Sequence, residues 1–287
     1  MLARVNAPVS RDVRGWVGRL DVEIERLGQR SVLARRSHVG PLYVQRPLYP
    51  EGPELVHLYL LHPPGGVVGG DRLDISVSVG ARAAALVTTP AAQKLYRSSG
   101  PESAIGTRLS VASGATLEWL PSETIVFDGA CARQRTVIEL APDAALLGWD
   151  VTCLGRPVNG IRFERGRLGL GLEIHRGGSP LSIERLTIEG GSSVLDEAWG
   201  FGGKPITGTL YAVPPRPDVI GELVQRLRGL EPGAGTAHSV TSLGEALVLR
   251  VLGDKLEAVR RLFAESWELL RPAVISRAPA RPRIWAT

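Results

Sequence analysis

Leu73-Asp74-Ile75-Ser76-Val77-Ser78-Val79-Gly80-Ala81-Arg82-Ala83-Ala84-Ala85-Leu86-Val87-Thr88 is the stretch on which the fold class turns. Leu73, Ile75, Val77 and Val79 alternate with Asp74, Ser76 and Ser78, the period of a half-buried strand. Gly80-Ala81 supplies a turn, and the apolar run Arg82–Thr88 follows as a second strand. The same figure recurs over Leu109–Leu120 around Gly114-Ala115, and over Ile138–Leu147 around Asp143-Ala144. The turns fall about 30 residues apart, a spacing at which one strand pair can be laid on the next so that each layer buries its neighbour's face. The residues between the turns do not match closely. An irregular β-helix-like stack of short strands is the expected architecture, and a plain β-sandwich gives much the same pattern.

Outward from this core the strand signals continue. Leu20, Val22 and Ile24 alternate with Asp21, Glu23 and Glu25. Ser31–Arg36, Leu55–Leu61, Gly106–Val111, Ala115–Leu120, Thr136–Leu140, Arg167–His175 and Leu181–Ile188 also read as strands. Two helices are expected toward the C-terminus. The first, 217–230, carries Ile220, Leu223, Val224, Leu227 and Leu230 as one apolar stripe. The second, 254–271, takes Asp254 as N-cap with Glu257 reaching back, and Pro272 is expected to stop it. Between them Ser239–Leu252 reads as one returning strand, and Arg277–Thr287, with its prolines, as extended chain. Glycine-rich 190–203, with Trp199 and Phe201, reads as a flexible loop. The chain 1–287 is thus a mainly β single domain with two C-terminal α-helices.

Composition excludes several functions. Lys and Arg number 34 against 29 Asp and Glu, a formal net charge of +5. Lys94, Lys204 and Lys255 are the only lysines, and the arginines form no stripe interleaved with aromatics, which argues against nucleic acid as a partner. Cys131 and Cys153 form no C-x-x-C pair, so neither a zinc site nor a disulfide framework is signalled. Met1–Asp12 holds no apolar signal core, and no apolar run approaches the ~20 residues that span a bilayer. A cytoplasmic protein with no membrane contact is expected.

The run His62-Pro63-Pro64-Gly65-Gly66-Val67-Val68-Gly69-Gly70-Asp71 looks at first like a phosphate loop. It ends in Asp71 rather than Gly-Lys-Ser/Thr, and a strand rather than a helix follows, so a turn that aims Asp71 is the better reading. His57 and His62 are five apart, which on a strand places them on opposite faces and argues against a joint metal site.

Taken together with Gln45-Arg46-Pro47-Leu48-Tyr49-Pro50-Glu51-Gly52, Thr88-Thr89-Pro90, Lys94, Tyr96-Arg97-Ser98, Leu117-Glu118-Trp119-Leu120-Pro121, Phe127-Asp128-Gly129, Leu154-Gly155-Arg156-Pro157 and Arg283-Ile284-Trp285, this run resembles the UreD (UreH) family of urease accessory proteins over most of the chain. The resemblance implies a β-helix-like fold with two helices and a non-catalytic scaffold or metallochaperone. It implies UreF as partner, UreG through UreF, and apo-urease, with no tightly bound cofactor and nickel in transit through an internal water-filled passage. By the same resemblance Asp71, Ser98, Asp150 and Glu184 are carried over to that passage. Scattered carboxylates and hydroxyls suit an ion that has to move on, where a His/Cys cage would keep it. The helix 254–271 is a candidate partner surface through Arg260 and Arg261, and Trp285 is a further candidate contact. Two rival functions are a general protein–protein adaptor without a metal role, and a carbohydrate-active β-helix enzyme using acids such as Glu118 and Glu123. Aromatics at 5% leave few sugar platforms for the latter.

Overall fold

The computed structural model describes residues 15–286; the expectation for Met1–Asp12 lies outside them. The chain winds as a stack of coils, each adding one strand to each of two facing sheets. The N-terminal hairpin β1 (Val17–Leu27) and β2 (Arg30–Val39) belongs to the first sheet, and β3 (Tyr43–Val44) and β4 (Leu55–Leu61) to the second. The next coil is β5 (Arg72–Val79), β6 (Ala84–Thr88) and the short β7 (Gln93–Leu95). Above it lie β8 (Ser103–Val111), β9 (Thr116–Leu120) and β10 (Thr124–Val126), then β11 (Cys131–Leu140) and β12 (Ala145–Leu154). The hairpin β13 (Arg167–Arg176) and β14 (Ser179–Glu189) finishes the first sheet. β15 (Ile206–Val213), β16 (Thr236–Leu243) and β17 (Ala246–Gly253) finish the second.

Strands β5, β8, β11 and β13 run parallel in the first sheet, as do β4, β6, β9 and β12 in the second. The expected repeat is the corner between the sheets. Ala83 N bonds Gly80 O at 3.0 Å, Ala115 N bonds Ala112 O at 3.0 Å and Ala144 N bonds Ala141 O at 3.1 Å. The corners also bond to one another: Ala112 N to Val79 O, Ala141 N to Val111 O, Thr116 N to Ala83 O and Ala145 N to Ala115 O. Ala83, Ala115 and Ala144 are buried at these corners. The architecture is therefore the stack of coils and not a plain sandwich.

Helices α1 (Ile220–Arg228) and α2 (Leu256–Val274) cover the outer face of the second sheet. Ile220, Leu223, Val224, Leu227, Val259, Leu262, Phe263, Trp267 and Leu270 pack there on Leu147, Leu210 and Leu249. Three local expectations are corrected. Asp254 does not cap α2; it pairs with Lys204 Nζ at 3.2 Å, and Lys255 stands at the cap without a side-chain bond. Pro272 does not stop α2, because it sits in the last turn, where one hydrogen bond is lost while buried Trp267, Leu270 and Val274 hold the turn in place. Ser239–Leu252 is a hairpin and not one strand: Gly244, at φ 61°, reverses the chain between β16 and β17. The C-terminal segment ends in a 3-10 turn over Arg283–Ala286. The segment 190–203 closes on itself through Phe201 N to Val194 O and Gly203 N to Leu195 O, with Phe201 buried and Trp199 exposed. Among the described residues no helix is long and apolar enough to cross a membrane.

A buried charge network fastens α2. Arg271 and Glu118 are both 0% exposed. Arg271 Nε and Nη2 each donate to Glu118 at 3.0 Å, Trp267 Nε1 donates to the same carboxylate at 2.7 Å, and Arg271 Nη1 reaches Glu51 at 2.7 Å. Burial opposes ionisation of Glu51, yet the bonds from His57 and Arg271 outweigh it and hold Glu51 at about 2. Burial pushes Glu118 upward. Removing one partner of such a pair leaves the other charge buried without compensation. Arg271→Met is expected to lose about 3–5 kcal/mol of unfolding free energy in denaturant titration. At the corners, Ala115→Leu should cost about 1–3 kcal/mol by overpacking, whereas the same change at exposed Ala237 should leave the midpoint unmoved.

Candidate functional site

The alternation that buries one face of each strand also lines a cavity of about 860 Å³ between the sheets. In stacking order the first sheet contributes Leu73, Ile105, Thr136, Leu172 and Glu184, and the second contributes Leu60, Trp119, Asp150, Thr209 and Arg250. Because successive coils contribute in turn, the cavity runs along the stacking axis from the β4 end to the β14 and β17 end. Its polar lining is mostly hydroxyl and amide: Thr107, Thr124, Thr152, Thr207, Gln93 and Gln134.

Asp150 lies on β12, whose even-numbered residues face inward while Ala145, Leu147, Trp149, Val151 and Cys153 face the helices. Its carboxylate forms no hydrogen bond or ion pair among the described residues. Deep placement disfavours the charge and pushes its pKa up to about 7, although the side chain keeps some accessible surface on the cavity side. Gly148 beside it leaves room for Tyr211 of β15: a Cβ at Gly148 would lie 2.5 Å from the Tyr211 ring. Burial, and then the charge of Asp150, raises the Tyr211 hydroxyl well above its ordinary value. Tyr211 Oη, Trp119 Nε1 and His62 Nδ1 are buried without a hydrogen-bond partner among the described residues. Buried polar atoms of this kind are met by ordered water or ligand, and the cavity is both roomy and polar enough to supply it.

Glu184 of β14 also lines the cavity, but not as a free acid. Arg250 Nη2 donates to it at 2.5 Å, joining the two sheets across the end of the stack, where no ladder connects them. Asp71 and Ser98 are not among the lining residues. Asp71 accepts the backbone N–H of Trp16 at 2.7 Å and of Val68 at 3.0 Å, fixing the turn before β5. Ser98 donates to Pro101 O at 2.6 Å and packs on Gly69, where a Cβ would lie 2.2 Å from its Oγ. Of the two, Asp71 acts on the cavity at a distance, since its charge reaches His62, which lines it.

Two of the three candidate partner residues, Arg260 and Trp285, are engaged within the chain. Arg260 donates twice to buried Glu123, and Trp285 packs on Trp149 and Trp267 at 5.2 Å from each ring. Arg261 is exposed beside Gly233. His57 bonds Glu51 at 2.9 Å in the α2 network while His62 faces the cavity, as their odd separation requires. Burial raises Cys153 to about 11, so its thiol stays protonated and is a poor ligand. Among the described residues, no group of three or more His, Cys, Asp and Glu side chains is gathered to hold a metal ion.

The raised pKa of Asp150 has a stability consequence. The folded chain binds this proton more tightly than the unfolded chain, so stability falls as pH rises from about 4 through 7. Asp150→Asn removes that penalty. It is expected to raise unfolding free energy by about 1–3 kcal/mol at pH 8 and by little at pH 4, measured by denaturant titration at each pH.

Comparison with known proteins gives a consistent result. Residues 17–286 match the family described as UreD urease accessory protein. The chain is 45% identical over 273 residues to a urease accessory protein UreD of Dechloromonas aromatica (strain RCB), covering 95% of each chain. It is 45% identical over 274 residues to one of Pseudomonas entomophila (strain L48), again covering 95% of each. To one of Citrobacter koseri it is 42% identical over 276 residues, covering 96% of this chain and 93% of that protein.

Proposed function

The chain belongs to the UreD urease accessory protein family, with a role in urease maturation, and from that premise we propose that it is a non-catalytic scaffold that passes nickel along its interior cavity to apo-urease. The observation that carries this reading is Asp150: an acid without a partner among the described residues, facing a polar cavity that follows the stack from coil to coil. A divalent ion entering beside it replaces its proton, so the acid offers charge only when a cation is there to take it. Hydroxyls of Thr107, Thr152, Thr207 and Thr209 accompany the ion as neutral oxygen donors that bind weakly and release. Glu184 joins the path when Arg250 gives it up. Asp71 and Ser98 act next to the cavity, beside the end lined by His62.

The docking partners are UreF, UreG through UreF, and apo-urease, all in the cytoplasm. Two exposed features fit a docking surface: Trp199 on its tight glycine turn, 72% exposed, and Arg261 on α2.

Co-expression of Asp150→Ala, Glu184→Ala and Asp71→Ala with urease and its other accessory proteins tests the proposal. Each variant is expected to pull down the same partners as the unaltered chain. Asp150→Ala and Glu184→Ala should lower the nickel content and activity of urease several-fold, and Asp71→Ala, which also frees two backbone N–H groups, should lower stability as well. Normal nickel content in all three would reject the passage while leaving the family assignment intact.

A further inference from the structure

We propose that His62 is the nitrogen ligand that sets the metal selectivity of the interior cavity. The inference rests on the passage reading above and adds to it the residue that tells one divalent ion from another.

Among the described residues His62 is the only histidine that lines the cavity, and no cysteine lines it. The remaining donors are carboxylate, hydroxyl and amide groups. Such oxygen donors accept Mg²⁺ and Ca²⁺ readily, so by themselves they do not favour a late transition metal. Imidazole nitrogen does, because affinity at nitrogen rises along the first row toward nickel and copper. One nitrogen among oxygens therefore biases entry toward nickel without building a site tight enough to retain it.

The geometry presents the ring for this task. His62 follows β4 on the same face as Leu58 and Leu60, which point between the sheets. Gly65 N bonds His62 O at 2.8 Å, and Gly65 takes φ 71°, so the Pro63-Pro64 turn fixes the backbone that carries the ring. Nδ1 is buried and has no hydrogen-bond partner among the described residues. Burial disfavours the protonated ring, against the opposing pull of Gln93 and of the Asp71 charge. A ring nitrogen that carries no proton replaces one water of the hydrated ion, and no proton or electron changes hands. The Asp71 carboxylate nearby adds attraction for a cation without having to touch it.

The test uses the full chain carrying ¹³C,¹⁵N-labelled histidine, with Ni²⁺ added in the presence of excess Mg²⁺. His38, His57, His175 and His238 are the other four histidines and serve as internal references. Paramagnetic broadening should appear at the His62 ring at lower nickel than at the others. Equilibrium dialysis of His62→Gln should then show the preference for Ni²⁺ over Mg²⁺ reduced on the order of tenfold, with Mg²⁺ uptake unchanged. His62→Asn gives a second reading, and thermal unfolding of both variants confirms that they fold. If the His62 ring is unmoved while Asp150→Ala abolishes nickel uptake, the selectivity role is wrong and the passage stands. If neither the His62 ring nor Asp150→Ala affects nickel binding, both fall.

Discussion

The corners at Gly80–Ala83, Ala112–Ala115 and Ala141–Ala144 set the spacing on which everything else depends. Each corner closes its own turn and hydrogen-bonds to the corners next to it, with a buried alanine methyl at its inner angle. Parallel strands on either side are thereby held in register, Leu73 opposite Ile105 in the first sheet and Ala85 opposite Leu117 in the second. Near the corner the sheets meet in a dry core of Val77, Leu109, Ile138 and Leu146. Farther from it the cavity opens between the sheets, lined by Ile75, Thr107 and Thr136 on one side and Trp119 and Asp150 on the other. Polar residues are tolerated there because the cavity has room for water to meet them.

Alternating strands were the legible part of the fold. Leu20–Ile24 and Leu73–Val79 each have one face in the core and one in solvent, so period two is written plainly in their sequence. Leu55–Leu61 was found with the same bounds, from a run of apolar residues between turn signals. The second halves of the coils were harder. β12 and β15 are covered on one face by the first sheet and on the other by α1 and α2, so both faces are apolar and the alternation vanishes. As a result Ile206–Val213 was missed and Ala145–Leu154 was only half seen. The Gly244 reversal was overlooked because both arms of its hairpin share one β-rich composition.

The site was legible in a different way. On β12, where both faces are buried, periodicity cannot tell an inward acid from an outward one. Asp150 and Glu184 came from family resemblance, and the cavity between the sheets is where they meet. Sequence alone could not foresee that Arg250, remote in the chain, neutralises Glu184, or that Asp71 spends its oxygens on backbone N–H groups. His62 carried a usable signal: it follows β4 directly, and its separation from Leu58 and Leu60 is even, which continues their inward face.

The pairing of Arg271 with Glu118 spans 153 positions of chain. Glu118 leaves the ribosome long before α2 does, and in the interval its coil can form only with a carboxylate pointing at an uncovered, apolar sheet. That face, with Leu147, Leu210 and Leu249, is covered in part by α1 and is completed only when α2 brings Trp267 and Arg271 to it. The part of that face made earliest, Leu147 and Glu118, therefore gains its α2 cover only when the last fifth of the chain has been made.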